Sequence, residues 1–270
     1  MERDLFKVDA SVDLHHPPLL VIWQGQDIGQ LCSKGIDDLI KKLGGIEVGA
    51  LDPVPFFSFG GVRFKDDLVQ IQESKFWALK EQNLLIFKSD EPEFEHHRFL
   101  TLLLEVAQNH FQTPSLYTIN GMHTAIGPAQ ARKIWAVFNE EELREEAREA
   151  GLEPMTYHGV PALSSYLLWI AKQRRMPGMS LWLEVPFYFG TRGDYRAIQS
   201  LLSFLNRRFD LRLDLDELDQ KIGRQEERIA RLRLESEEID GYLDRLERGE
   251  ELDKEEQLKL AQAFYGVFWD

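Results

Sequence analysis

Six polar residues stand at or just beyond the predicted carboxyl ends of three strands, where an α/β protein usually binds its ligands. They are Gln24, Asp27, Asn120, His123, Glu184 and Tyr188. Loops from several strands meet at this edge of a sheet, so side chains that are distant in sequence converge there. Amide, carboxylate and phenol groups in such a place suit a small polar ligand. We take these six residues as the candidate ligand-binding set.

Glu184 is the most unusual of the six because it interrupts the apolar run Met179–Val185. A carboxylate buried in such a strand has a raised pKa unless a hydrogen-bond donor reaches it. Buried groups of this kind are common in functional sites. The alternative is a structural carboxylate at a strand end, paired with Arg192 or exposed to solvent. The sequence leaves both interpretations open.

Recognised catalytic and metal-binding motifs are not found in the sequence. It contains no phosphate loop of the Walker type, no Cys-x-x-Cys pair and no His-Glu-x-x-His helix. His96 and His97 are adjacent, so on a helix they point about 100° apart and do not easily share one metal. The loop Gln24–Gly29 contains no arginine that would bind a phosphate group. We therefore expect a protein without a metal or cofactor and favour a non-catalytic role.

The elements that would position these residues alternate between strands and helices. Leu19–Trp23 is wholly apolar and predicts a strand buried on both faces. A helix follows, with an apolar stripe from Leu31 to Leu43 and Gly44 as its stop. Similar strand and helix patterns continue to Phe209. This alternation predicts a three-layer α/β/α sandwich with a mainly parallel sheet over residues 1–212.

Residues 213–270 form an acidic helical appendage in our prediction. Apolar residues recur at alternating steps of three and four from Leu215 through Leu218, Ile222, Ile229 and Leu232 to Leu246, with Gln225 and Ser236 also in register. The pattern predicts one long helix of coiled-coil type. It does not decide whether the seam packs on another chain or on its own domain. If it forms an interface, deleting residues 214–270 should leave the sandwich folded.

Two aromatic segments have alternative interpretations. Phe56, Phe57 and Phe59 lie between prolines and glycines in a loop too apolar for water, so the loop either tucks over the sheet or contacts another subunit. At the carboxyl end, Phe264, Val267 and Phe268 have the spacing of the packed face of a helix, which we favour over docking of Phe268 and Trp269 on a partner protein.

The composition excludes several kinds of partner. With 46 acidic and 32 basic residues, the net charge is −14, which disfavours binding to nucleic acids and to anionic membranes. The single cysteine, Cys32, predicts a reducing cytoplasm. No apolar run is long enough to span a bilayer, and the amino terminus does not resemble a signal peptide.

Three sequence elements resemble those of the proteasome assembly chaperone 2 family. Trp23, Asp27 and Gly29 are similar to its aromatic-x-x-x-Asp-x-Gly element, and Tyr157–Pro161 resembles its Tyr-x-Gly-Pro element. Ser180–Tyr188 resembles its Ser-Leu-Trp-x-x-Val-Pro-x-Tyr signature. Together with the acidic helical tail of bacterial members, the resemblance extends from Leu19 to Leu246.

The resemblance implies a sandwich related to the purine nucleoside phosphorylase fold, self-assembly as a homo-oligomer, often a trimer, and action through contacts with a protein partner that it does not identify. The candidate interface residues are Phe56, Phe57, Phe59, Leu215, Leu218, Ile222, Ile229 and Leu232. The alternative is a nucleoside-type ligand-binding protein or enzyme that uses the strand-end residues.

Overall fold

The computed structural model describes residues 5–8, 10–24, 28, 31–58, 62–65, 67–155, 162–190 and 193–268. The chain divides into two compact units. The first unit comprises Met1–Gln26, Ser33–Asn120 and Ala136–Leu181, and the second comprises Asp27–Cys32, Gly121–Trp135 and Trp182–Asp270. The predicted boundary at residue 212 stays a prediction, and the second unit also takes in residues 182–212.

Strands and helices alternate along most of the chain. The strands are β1 (Phe6–Val8), β2 (Leu19–Trp23), β3 (Ile46–Leu51), β4 (Arg63–Lys65), β5 (Leu68–Gln70), β6 (Ser74–Leu79), β7 (Leu84–Ser89), β8 (Leu116–Thr124), β9 (Ile134–Phe138), β10 (Glu153–Pro154) and β11 (Gly178–Pro186). The helices are α1 (Leu31–Lys42), α2 (His96–Glu105), α3 (Leu143–Glu149), α4 (Leu163–Gln173), α5 (Tyr195–Phe209), α6 (Asp216–Glu235), α7 (Glu237–Glu247) and α8 (Lys254–Phe268). The fold is therefore mixed α/β.

A nine-stranded mixed sheet has the order β1-β3-β6-β7-β2-β8-β11-β9-β10. Strand β2 is parallel to both neighbours, with Val21 opposite Phe87 on β7 and Thr118 on β8. The pairs β1/β3, β3/β6 and β6/β7 are antiparallel, so the prediction of a mainly parallel sheet is wrong for this side. The physical reason is that only residues 80–83 join β6 to β7, which is too short for a parallel crossover.

Strand β2 is the centre of the first unit's core, as its sequence predicts. All five of its residues are buried. Trp23 packs against Phe87 and Phe99, and the Phe56 ring meets Phe99 edge to face with 4.9 Å between centroids. Phe57 also packs edge to face on Phe99. Aromatic pairs in this geometry stabilise a core beyond the apolar area that they bury.

The position of Phe56 and Phe57 agrees with the tucked-loop interpretation. Both side chains lie inside the first unit, so they do not offer a surface to another subunit. Phe59, the third candidate of this loop, lies outside the described residues.

The predicted single long helix is wrong because the chain breaks at Ser236 into α6 and α7. Ser236 has extended backbone angles, and its hydroxyl accepts a hydrogen bond from the Ile239 N–H at 3.3 Å. Serine competes well for this role because its side-chain oxygen satisfies an amide that the first helical turn leaves free.

The apolar seam is covered by the chain itself. Leu218, Ile222, Ile229 and Leu232 are all buried, and Leu215 is half-buried. In the core of the second unit, part of this seam packs with residues of α7 and α8 and with the rings of Tyr188 and Phe189. The buried members of this cluster are Tyr188, Phe189, Ile229, Leu232, Ile239, Leu243, Leu246, Leu252, Leu260 and Phe264. In this conformation the buried seam residues are therefore not available to a second copy.

The last helix packs in the same core. The Phe264 ring lies 4.5 Å from that of Tyr188, and Val267 is partly buried against the cluster. The packing interpretation thus accounts for Phe264 and Val267. The Phe268 side chain, Trp269 and Asp270 lie outside the described residues.

Candidate functional site

The six candidate ligand-binding residues are divided between the two units. Gln24 and Asn120 belong to the first unit, whereas His123, Glu184 and Tyr188 belong to the second. Asp27 lies outside the described residues, as do Gly29 and the Tyr157–Pro161 element. Strand β8 continues to Thr124, so Asn120 and His123 lie on a strand and not in the predicted loop.

Asn120 is the centre of a polar network in the first unit. Its Oδ1 accepts a hydrogen bond from the Ser164 hydroxyl at 2.7 Å, and Ser164 Oγ accepts one from Trp23 Nε1 at 3.0 Å. Asn120 Nδ2 donates to Ser180 Oγ at 2.9 Å, with longer contacts to Thr118 Oγ1 and the Leu181 carbonyl.

This network uses the hydrogen-bonding capacity of the Asn120 amide within the protein. A side-chain amide has two N–H donors and one carbonyl oxygen, and each already has a partner here. The network also ties β2, β8, β11 and the first turn of α4 together. Buried networks that are fully satisfied contribute rigidity and a unique packing. The geometry therefore gives Asn120 a structural role.

Sequence reasoning missed Ser164, Ser180 and Thr118 as partners of Asn120. Ser180 and Thr118 are fully buried on β11 and β8, and the Thr118 hydroxyl donates to Ser180 Oγ at 2.8 Å. The signal that could have found them is the one that identified Glu184: a polar side chain inside an otherwise apolar strand. Gln24, the other candidate in this unit, is half-buried, and its backbone N–H donates to the Ser89 carbonyl.

Glu184 is buried on β11 with both carboxylate oxygens occupied. Oε1 accepts a hydrogen bond from Trp135 Nε1 at 2.9 Å, and Oε2 accepts one from the Lys133 backbone N–H at 3.1 Å. The Lys133 carbonyl in turn accepts a hydrogen bond from the Glu184 backbone N–H. Hydrogen-bond donors therefore reach this buried carboxylate, as its burial in an apolar strand requires. They hold this carboxylate against β9 and the residues just before it.

Tyr188 and His123 also interact with the protein itself. The Tyr188 hydroxyl donates to the Ile126 carbonyl at 2.7 Å, and burial raises the pKa of this phenol far above its ordinary value. Partial burial lowers the pKa of His123, opposed by a hydrogen bond to the Val185 backbone. The second-unit candidates therefore have separate partners and do not form one catalytic group.

An ion pair that the sequence did not predict organises the second unit. The Arg132 guanidinium bonds the Asp194 carboxylate, and neither side chain has any exposed surface. Burial raises the pKa of Asp194, whereas Arg132 and the N–H groups of Arg196 and Ala197 act in the opposite direction. Asp194 is the N-cap residue of α5, and its side chain accepts a hydrogen bond from the Arg196 N–H. The pair therefore fixes where α5 begins.

The same guanidinium holds the loop that follows β8. It donates to the carbonyl oxygens of Gly127 at 3.1 Å and Pro128 at 2.9 Å, and also to that of Gln130. All of these acceptors are backbone groups, which gives the loop a fixed conformation although it contains no regular secondary structure.

No group of three or more His, Cys, Asp or Glu side chains within the described ranges is arranged to hold a metal ion. The helices described here are all too short or too polar to cross a bilayer. Neither observation identifies a partner.

Comparison with known proteins gives a family and a fold. Residues 24–233 match the model of the PAC2 family. No curated protein matches the sequence. Among solved structures, a protein of unknown function from Corynebacterium glutamicum is similar with a TM-score of 0.77 and 15% identity, over 91% of this chain and 96% of that one.

Two further structures are of proteins that are named for a function. A proteasome-assembly chaperone homologue from Mycobacterium tuberculosis matches with a TM-score of 0.71 and 15% identity, over 83% of this chain and 99% of that one. An archaeal proteasome activator from Pyrococcus furiosus matches with a TM-score of 0.67 and 21% identity, over 84% of this chain and 98% of that one. At these identities the similarity establishes a shared fold.

Proposed function

The chain belongs to the PAC2 family, and from that premise we propose that it is a non-catalytic, assembly-chaperone-like protein that acts by binding other proteins. It recognises subunits before or during their assembly and does not transform a small molecule. Its partner is a subunit of a proteasome or of a related multisubunit complex.

The observation that carries this proposal is the state of the strand-end residues. The side chains of Asn120, Glu184 and Tyr188 all form hydrogen bonds within the protein. A nucleoside that bound these side chains would have to break those hydrogen bonds. Each present partner that is buried and left without a hydrogen bond would then cost about 1–3 kcal/mol. A phosphorylase-like site at the strand ends is therefore the poorer explanation of these residues.

Two of the structurally similar proteins indicate the type of partner. The Mycobacterium tuberculosis protein is a proteasome-assembly chaperone homologue and the Pyrococcus furiosus protein is a proteasome activator. Fold similarity alone does not transfer function. The proposal therefore combines the roles of these two proteins with the family membership and the occupied strand-end groups.

The finer parts of the proposal concern architecture and assembly. The sheet and helices form a three-layer sandwich related to the purine nucleoside phosphorylase fold, as in bacterial members of the family. The protein assembles as a homo-oligomer, with a trimer favoured, in the cytoplasm. Light scattering tests the assembly: a mass near that of one chain, 31.4 kDa, at micromolar concentration would rule it out.

Sedimentation velocity with purified, unassembled proteasome subunits tests the proposed function. We expect a new species that contains both proteins, and weaker association with the fully assembled complex, whose intersubunit surfaces are already covered. A parallel thermal-shift screen of nucleosides and nucleotides tests the alternative, a protein that binds a nucleoside-type ligand. A saturable nucleoside shift that Asn120→Ala abolishes, together with no subunit binding, would contradict the proposal.

A further inference from the structure

A cavity of about 410 Å³ opens on the second unit. Its apolar lining comes from Pro128 and Ala129 of the loop after β8 and from Ile229 and Ala230 of α6. This volume lies in the range of ligand pockets and is wide enough for an aromatic side chain. The apolar lining suits a hydrophobic group, and the small alanine side chains leave the space for it.

Hydrogen bonds from Arg132 hold the loop after β8, which forms one wall of the cavity. Arg132 fixes the carbonyl groups of Gly127 and Pro128, as described above. Gly127 also allows a close approach to α7: a Cβ atom there would lie 2.3 Å from Glu247 Cγ and 3.3 Å from its Cα. A larger residue would push the loop away from α7. The loop wall of the cavity is therefore fixed by backbone contacts within this unit.

Ion pairs line the rest of the cavity. Arg196 bonds Glu226, and Arg233 bonds Glu247 at 2.5 Å. Arg233 also reaches Asp240 at 2.8 Å and Asp244 at 2.7 Å on α7. These three carboxylates raise the pKa of the Arg233 guanidinium.

The charged residues that line the cavity are two arginines and two glutamates, which balance each other. Asp240 and Asp244, which bind Arg233 but do not line the cavity, bring the net charge of the whole group of ion pairs to −2. Each carboxylate bonds its arginine through one oxygen, and across the described ranges the second oxygen accepts no hydrogen bond from the protein. Residues 214–256 around it contain 17 acidic and 8 basic residues. Such a surface attracts and orients basic partners and repels acidic ones.

We propose that this cavity is the docking site for a basic segment of a partner protein, which inserts one aromatic side chain between the loop and α6 while neighbouring Lys or Arg side chains bind the free carboxylate oxygens. The inference rests on the proposed protein-binding function and names the chemistry of the partner. An aromatic anchor that fills a pocket is typical of an interface hot spot.

The nature of the walls favours a polypeptide over a free anionic metabolite. Both arginines already have carboxylate partners, so an anion would have to displace them. The free groups at the rim are acceptors, which suit ammonium and guanidinium donors. A polypeptide supplies these donors on either side of its anchor.

Fluorescence titration of the full chain with three synthetic peptides tests the inference. The first has a central Trp between lysines, the second has Ala in place of Trp, and the third has Glu in place of the lysines. We expect the first peptide to bind at least about tenfold more tightly than either of the others, since each loses one of the two interactions. Equal affinity for the Trp and Ala peptides would overturn the proposal.

Substitutions that fill the cavity locate the binding. Ala230→Trp occupies the space from α6 and should abolish binding of the Trp peptide. Glu227→Trp is the matched control, because Glu227 is exposed on the same helix and does not line the cavity. Ala129→Trp fills the cavity from the loop and serves if the α6 variant does not fold. Unchanged binding in a folded, filled variant would refute the site.

Tryptophan amide separates a protein segment from a small cationic ligand. Affinity equal to that of the Trp peptide would contradict docking of a polypeptide. The proposed function and this inference fail in different ways. If assembly of subunits is promoted equally by the wild type and by Ala230→Trp, only the docking site is wrong. If the peptide binds as expected but subunits do not, only the identity of the partner is wrong.

Discussion

Arg132 and Asp194 form an ion pair in which both side chains are fully buried, although 62 positions separate them in the sequence. Asp194 caps α5, and Arg132 fixes the loop that forms one wall of the cavity. This one pair therefore sets the position of a helix and a loop. Removing two charges from water costs several kcal/mol per ion, so the pair persists because hydrogen bonds satisfy both groups.

Breaking this pair should strongly destabilise the second unit. Arg132→Met leaves the Asp194 carboxylate buried without its cation, for which we expect a loss of about 3–5 kcal/mol in urea unfolding. The double variant Arg132→Met/Asp194→Leu removes both charges. It should be less damaging than the single change, although α5 then loses its cap. A loss below about 1 kcal/mol for Arg132→Met would contradict the buried pair.

Tyr188 should make the protein sensitive to alkaline pH. Burial raises its pKa above the ordinary value of about 10, so the folded protein keeps a proton that the unfolded chain loses. The stability from this residue is complete below about pH 10 and then falls by up to about 1.4 kcal/mol per pH unit.

Tyr188→Phe separates this titration from that of the other tyrosines. At pH 7 the variant should be about 0.5–1.5 kcal/mol less stable, because it lacks the hydrogen bond to the Ile126 carbonyl. Above pH 10 the difference from wild type should shrink and then reverse. Urea unfolding at pH 7 and at alkaline pH measures this, and a difference that stays constant would show that Tyr188 does not titrate as described.

Glu184→Gln should cost about 1–3 kcal/mol, because an amide can accept from only one of the two donors that meet the carboxylate. A double-mutant cycle with Trp135→Phe isolates the side-chain bond. We expect a coupling free energy of about 1 kcal/mol between the two positions in chemical denaturation. Independent, additive effects would mean that the Trp135 contact does not stabilise the fold.

The helices of residues 214–270 should be needed for stability, in contrast to the expectation from the heptad pattern alone. Leu243 is fully buried in the cluster with Tyr188 and Phe189, whereas Leu234 is 89% exposed. Leu243→Ala should cost about 2–5 kcal/mol, and the matched control Leu234→Ala no more than about 0.5 kcal/mol. Equal melting temperatures for the two variants would indicate that the seam packs elsewhere.

Short-range patterns predicted much of the fold. The unbroken apolar run of β2 and the helix that follows it were identified from sequence, because their signals are contained in neighbouring residues. Strand β6 was missed, and with it the antiparallel side of the sheet. Its sequence, Ser74–Leu79, alternates polar and apolar residues weakly, and its assignment depends on pairing with β3 and β7.

The site was predicted less well because its partners are distant in sequence. Glu184 was singled out because it interrupts an apolar run, but the donors that reach it, Lys133 and Trp135, lie about 50 positions away in the sequence. The amphipathic pattern of α6 and α7 was correct, yet a seam does not specify what covers it. Only the three-dimensional packing showed that Tyr188 and its neighbours do so.

The rate of subunit assembly tests the central proposal most directly. Purified, unassembled proteasome subunits are mixed with the full chain, and native electrophoresis follows the formation of the complete complex. The account predicts faster assembly or a higher yield than with no added protein, and a mature product that does not retain the chain. Unchanged rate and yield, with no binding of the chain to free subunits, would contradict an assembly-chaperone role.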